Sequence, residues 1–439
     1  MTQPVASHNP RRALNPPVWL ACAVLLGLSA CAQAPKAVDK KEAATLVFPL
    51  PPDDARFIYE RTIRSSRDVD TSVAEITLEQ LLTGAGSTAT DIPLRKPYAI
   101  AVHQGRLFVS EPSARIVKVF DVPGNKYFTI GDEEPGALTM PIGFDMDGAG
   151  NLYVADITAS AVMVYDRDGK FLRKLAGGKI GEPALFKRLT NVAVDKKGEK
   201  IYVVDTAGTS GTPEQHRVRV FDAKTGGHLF DIGKRGSEPG EFNLARGVIL
   251  DHDNNLLVVD AGNFRVQVFD AGGKFLRAFG KLGQQIGDFA RPKEIAVDAT
   301  NNIYVSDAVF ANFQIFTPEG ELLMAIGSGG NDTPARYSMV SGIAVDEDGR
   351  VYVVDQQHRK IDIFRPAALG PQDGYLGRKK GKGEKSSPPA PDKEIPGEEA
   401  PMPGEEPTIP GDQPPVPASE TPASKPPAAG EATGELLPE

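Results

Sequence analysis

Cysteine, tryptophan, histidine and long apolar runs are all scarce in this 439-residue chain, and each shortage removes a class of explanation. The two cysteines, Cys22 and Cys31, both lie near the amino terminus, so disulfides do not staple the body of the fold. Trp19 is the only tryptophan and sits in the same leader. Six histidines leave little material for a catalytic zinc, which usually takes three protein ligands. The apolar run at residues 18–28 is too short for a bilayer, which needs about 20 residues. No G-x-S-x-G, H-E-x-x-H or P-loop motif is present. A cationic surplus is also lacking. The formal charge is −9, which argues against nucleic acid, or a bare anionic membrane, as the partner.

What the leader does contain is an address. Arg11 and Arg12 precede the apolar run, and the run ends in Leu28-Ser29-Ala30-Cys31. A charged start, a short apolar stretch and small residues before a cleavage point make a signal peptide over residues 1–30. The last four residues resemble the lipobox of bacterial lipoproteins. That resemblance implies diacylglycerol on the Cys31 thiol and anchorage in the lipid bilayer, and Ala32 in second place implies sorting to the outer membrane. Residues 31–47 read as a polar tether.

The body of the chain is a repeat. Asn151-Leu152-Tyr153-Val154-Ala155-Asp156 returns as Lys200-Ile201-Tyr202-Val203-Val204-Asp205, Asn255-Leu256-Leu257-Val258-Val259-Asp260, Asn302-Ile303-Tyr304-Val305-Ser306-Asp307 and Arg350-Val351-Tyr352-Val353-Val354-Asp355, with a weaker copy at Arg106-Leu107-Phe108-Val109-Ser110-Glu111. The final acids recur at intervals of 45 to 55 residues. Such a period marks repeats that bury their faces on one another. Each copy follows a short apolar strand and a tight polar turn such as Asp346-Glu347-Asp348-Gly349. Its consecutive apolar residues predict a strand buried on both faces. A third strand ends nine residues after the acid, as in Val266-Gln267-Val268-Phe269, and a fourth follows a second turn, as in Phe275-Leu276-Arg277-Ala278-Phe279. Four short antiparallel strands per repeat predict a propeller blade. The sixth repeat stops after three strands, and residues 56–63 supply a candidate fourth, which would close the ring and hide its edges. The expected fold is therefore all-β: a six-bladed β-propeller over residues 48–366. Residues 78–82 read as a short helix within the connection to blade one. Residues 367–439 lack the apolar content to fold and are expected to form a disordered Pro/Glu-rich tail.

Two stretches carry a family resemblance. Ile343-Ala344-Val345-Asp346-Glu347-Asp348-Gly349-Arg350-Val351-Tyr352-Val353-Val354-Asp355 resembles the NHL repeat, and so does the joining pattern Gly233-Lys234-Arg235-Gly236-Ser237-Glu238-Pro239-Gly240-Glu241-Phe242. The resemblance implies a six-bladed propeller but no single activity, since NHL propellers include amidating lyases, RNA-binding modules, sensor domains and envelope lipoproteins.

In such a blade the second-to-third loops and the blade-to-blade loops open on one face. Glu111, Asp156, Asp205, Asp260, Asp307 and Asp355 are expected as a ring near it, with His216 and His358 beside them and Arg217 and Arg265 opposite the acids on the next strand. These are the candidate ligand-face residues. Their bland alternative is structural, an acid capping turn amides. Their sharp alternative is a Zn or Ca ion in the channel. His103 and His252 are expected on the opposite face. Lys187, Arg188, Lys234, Arg235, Arg246, Arg291 and Lys293 reach the acid-ring face but interleave with Glu182, Glu238, Glu241 and Asp288, which reads as a mixed rim. A seven-residue insertion within 206–216 sits on the same face. The functional expectation is a non-enzymatic binding or scaffold protein for an envelope protein, peptide or glycan. The alternative is a metal-dependent lyase or lactone hydrolase acting in the central channel.

Overall fold

Six sheets surround one axis because none can hide both its faces alone. A computed structural model describes residues 45–70, 91–176, 186–206 and 216–377. The leader, Cys31, residues 78–82 and most of the 206–216 insertion lie outside them.

Blade one comprises Ile100–His103, Arg106–Glu111, Ile116–Asp121 and Lys126–Ile130, all antiparallel neighbours. Blades two to five repeat this order from inner strands Pro141–Met146, Leu189–Val194, Ala245–Leu250 and Pro292–Val297. The inner strands contact one another in the order one, two, three, four, five, six and back to one, so the ring is closed.

The consecutive apolar residues of each second strand now have a reason. Leu152 and Val154 pack toward blade one with Phe108 and Val119, whereas Tyr153 and Ala155 pack toward blade three with Val192 and Val203. Six such apolar clusters occupy the six blade-to-blade interfaces. Each fully buried Val, Leu or Ile contributes about 1.5–3 kcal/mol. The turns are cut by Asp and by Gly or Asn. Asp147 accepts from the amides of Ala149 (3.0 Å) and Asn151 (2.9 Å). The residue that reverses the chain, Gly150 (φ 84°) or its counterpart Asn254 (φ 61°), is left-handed, a conformation these types tolerate best.

Closure is made by the expected segment. Phe57–Ile63 pairs antiparallel with Lys360–Pro366, with Tyr59 opposite Phe364 and Ile63 opposite Ile361. The Thr62 hydroxyl donates to Asp362 at 2.6 Å across 300 residues of sequence. One strand beyond the expectation, Val47–Phe48, adds to the outer edge and makes this blade five-stranded. The start of the expected tail is also tied down. Ala367 N–H donates to Arg56 O at 2.8 Å, the fully buried Arg350 guanidinium donates to Asp373 O at 2.8 Å, and Leu376 packs on the cluster between blades six and one. Glu60 neutralises Arg350 at 2.8 Å. These contacts hold residues 367–377 on the propeller.

Candidate functional site: an axial cavity

The innermost strands present a bare backbone edge to the axis, and small residues let those edges approach. Gly143, Gly247 and Gly342 occupy one level of the ring. A Cβ on Gly143 would meet Asn191 Oδ1 at 2.1 Å, and one on Gly342 would meet Tyr98 O at 2.7 Å. Hydroxyls satisfy part of the bare edge: Ser110 Oγ donates to Ile142 O, Ser306 Oγ to Ser341 O and Ser341 Oγ to Tyr98 O, all at 2.7–2.8 Å. At the same level Asn191 Nδ2 donates to Glu294 Oε2 at 2.8 Å, joining blades three and five.

This level is the floor of an axial cavity of ≈ 700 Å³. Its walls combine aliphatic residues, among them Val102, Met146, Val248, Leu250, Val297 and Val345, with the Asp145 carboxyl, which burial raises. Its rim is charged and of both signs, with His103, Asp147, Lys196, Asp251, His252 and Glu347. His103 Nδ1 meets Glu347 Oε1 at 3.1 Å, linking blades one and six at the mouth. Burial pushes the Glu347 carboxyl up, but the bond to His103 and backbone amides outweigh it and hold it below the usual range. Burial drives Glu294 the other way, up to about 7, and the Asn191 bond offsets only part of that. The floor thus holds a carboxyl near neutrality, with the Asp145 carboxyl on the wall above it.

The cavity opens among the first-to-second turns, the side of His103 and His252, and not among the acids. None of Glu111, Asp156, Asp205, Asp260, Asp307, Asp355, His216, Arg217, Arg265 or His358 lines it. The six acids are fully buried and joined to backbone amides. Asp307 Oδ2 accepts from Ala290 and Arg291 N–H in the blade-to-blade loop (2.8 and 2.9 Å), and its Oδ1 from Val309 and Phe310 N–H in the next turn (2.9 and 3.1 Å). Asp156 and Asp355 divide their oxygens between the same two loops. Glu111 takes Arg95 N–H at 2.6 Å and the buried Lys118 ammonium at 3.0 Å. Asp205 takes Lys187 and Arg188 N–H, and burial raises its carboxyl. Arg265 pairs with Asp260 at 2.9 Å, as its position across the strands suggests. Arg217 does not pair with Asp205. It turns outward to Asp231 at 2.7 Å, because the fourth strand offers it a better-exposed carboxylate. His216 is fully buried and accepts from Leu244 N–H at 3.2 Å, and His358 meets Asp355 at 3.0 Å. Among the described residues no group of three or more His, Cys, Asp and Glu side chains stands ready to hold a metal ion.

One recurrent polar position escaped sequence reasoning. The second residue of the third-strand motif is Lys118, Gln267, Gln314 or Asp362 in four blades, and each is buried. Gln314 donates to Asp288 O at 2.9 Å and accepts from Gly287 N–H at 2.6 Å, and Gln267 serves Glu241 and Gly240 in the same way. The signal was a polar residue inside an otherwise apolar strand, which pays its desolvation only with partners in a loop about 26 residues upstream.

The chain is similar to known propellers. A family model described as a 6-bladed beta-propeller (DUF5128) matches residues 243–311. The probable peptidyl-alpha-hydroxyglycine alpha-amidating lyase of Caenorhabditis elegans is 33% identical over 144 residues, covering 31% of this chain and 39% of that protein. The chain thus spans about two fifths of the length of this curated relative. Among solved structures it is similar to a protein of unknown function from Bacteroides thetaiotaomicron (17% identity, TM-score 0.48, 63% of this chain and 70% of that one). It is likewise similar to a gluconolactonase from Xanthomonas campestris (15%, 0.46, 62% and 86%) and to a streptogramin B lyase (14%, 0.45, 63% and 95%). These structural likenesses are of fold and assign no reaction.

Proposed function

We propose that this chain is a lipid-anchored binding protein of the bacterial envelope, whose axial cavity receives an apolar side chain or short segment of a protein or peptide partner. The observation that carries the reading is the shaft itself: about 700 Å³ lined by aliphatic side chains together with the Asp145 and Glu294 carboxyls, beneath a rim of mixed charge. Aliphatic side chains with a limited number of polar groups among them suit burial of apolar surface. The rim charges would orient a partner without fixing its net charge. The anchor rests on Leu28-Ser29-Ala30-Cys31, with sorting to the outer membrane through Ala32. NHL-type repeats supply the ring.

The test is a photo-crosslinking amino acid at Val345, on the full chain in native envelopes. A discrete protein adduct, lost when Val248 is changed to Asp, is expected. An adduct to glycan, or none, overturns the reading. Acylation is checked by mass spectrometry of the amino terminus, with release of the protein from membranes in Cys31→Ser. The match to an amidating lyase supports a second reading, a metal-dependent lyase or lactone hydrolase in the channel. Elemental analysis decides it: stoichiometric Zn or Ca together with turnover would establish that reading in place of the first.

A further inference from the structure

The other axial mouth, on the acid-ring side of the Asn191–Glu294 floor, gathers cations in a chain whose net charge is −9. Strand register places them. Ile100, Val248 and Ile295 occupy equivalent rungs, opposite Val109, Val258 and Val305 on their second strands. Two residues earlier stand Tyr98, Arg246 and Lys293, one level beyond the floor, and a further two residues out stand Arg188 in blade three and Arg291 in blade five. Four cations therefore face a single carboxylate, Glu294. The basic rim read from the sequence divides here. Lys234 pairs with Glu241 at 3.3 Å in its own loop, whereas Arg246 and Lys293 both lie near Glu294. The Tyr98 phenol lies beside Arg246 and near Glu294.

Lys293 is the decisive residue. It is only 8% exposed, yet its ammonium makes no hydrogen bond or ion pair among the described residues. Glu294 offsets its charge only in part, whereas the other buried lysines among the described residues stand in direct ion pairs: Lys118 with Glu111 at 3.0 Å and Lys360 with Asp362 at 2.9 Å. Burial, then Arg246 and Arg291, push the Lys293 ammonium down to about 8, against the smaller opposing pull of Glu294.

We propose that this mouth is an oxyanion-binding site, in which Lys293 and Arg246 take a carboxylate or phosphate group, Tyr98 orients Arg246, and Arg188 and Arg291 draw the anion in. The site lies across the floor from the aliphatic shaft and stands independently of what the shaft receives.

The experiment titrates the full-length protein with inorganic phosphate and separately with acetate, by calorimetry at constant ionic strength near pH 7. Saturable one-site binding of at least one probe is expected; the better probe tells a phosphoryl from a carboxylate ligand. Loss of a charge-assisted hydrogen bond in Lys293→Met should weaken binding about tenfold or more. Lys293→Arg should restore most of it, and Lys187→Met, on an exposed loop position, should leave it unchanged. A structural role would give the opposite thermal signature. Because burial and its cationic neighbours oppose the Lys293 charge more than Glu294 supports it, Lys293→Met should melt no lower than the parent chain while losing the anion. If that variant fails to fold, Arg188→Gln at the exposed rim provides the same reading, as a several-fold loss. Absence of saturable binding by both anions, or binding indifferent to these changes, overturns the proposal.

Discussion

Replacing Asp307 by alanine separates an acid that anchors loops from one that meets a ligand. The side chain is fully buried and accepts four amide hydrogen bonds, two from the loop that brings the chain into blade five and two from the turn that follows. Asp307→Ala strands all four donors. An orphaned buried donor costs about 1–3 kcal/mol. The loops are partly exposed and water can reach some of these amides, so the lower end applies, roughly 4 kcal/mol in total. For a chain of this size that corresponds to a fall in Tm of roughly 8 °C. Asp307→Asn keeps one acceptor but turns an NH₂ toward two donors, and is expected to lose about half as much. The assay is scanning calorimetry of both variants, with crosslinking at Val345 as the functional readout. An anchoring acid gives lower melting with crosslinking retained in the folded fraction. Unchanged melting with lost partner binding would refute the assignment and return the acid to the ligand face.

Further expectations follow from the same geometry. Deleting residues up to 63 should leave the Lys360–Pro366 strand with an open edge and produce aggregates on size exclusion that the parent chain does not form, while a peptide of residues 56–63 added in trans restores solubility; a soluble, unaggregated variant with unchanged melting would contradict the closure. Glu294 gives a pH signature. Its folded carboxyl sits near 7 against an ordinary 4.5, facing Asn191, Arg246, Lys293 and Tyr98. The folded chain therefore keeps a proton that the unfolded chain releases, and Glu294 lowers stability as pH rises from about 4.5 to 7, by up to about 3 kcal/mol at ~1.4 kcal/mol per unit. In Glu294→Gln that part of the slope should vanish from denaturant titrations across the window; parallel slopes would refute it. Arg350→Met leaves Glu60 and Asp373 O without their buried cation and should cost about 3 kcal/mol or more, read as a shift in the urea midpoint.

The ring was legible because its causes are local and repeated. Tyr352-Val353-Val354-Asp355 announces a strand buried on both sides wherever it occurs, and the three-strand sixth repeat points to a missing partner that Phe57–Ile63 supplies. What stayed hidden depends on pairs that no period records. Asn191 and Glu294 meet across 103 residues, replacing the glycines and alanine that hold the same level in the other blades. Arg217 stands directly across the strands from Asp205 yet pairs with Asp231, the better-exposed carboxylate on the fourth strand. The side of the cavity was also unreadable. The acids are conspicuous in the sequence because the loops need them, and the shaft is inconspicuous because backbone edges and small aliphatics build it.

The last sheet draws its strands from opposite ends of the polypeptide, and this sets the timetable of assembly. As the chain emerges from the ribosome, blades one to five acquire all their strands in turn, but the sixth must wait for Pro366 while Phe57–Ile63 has been in solution since the beginning. Until then the protein is an open arc with two raw flanks and an unpaired leading ribbon. A chaperone that shields the ribbon, or rapid capture by a neighbouring arc, would decide between a single closed ring and a domain-swapped pair.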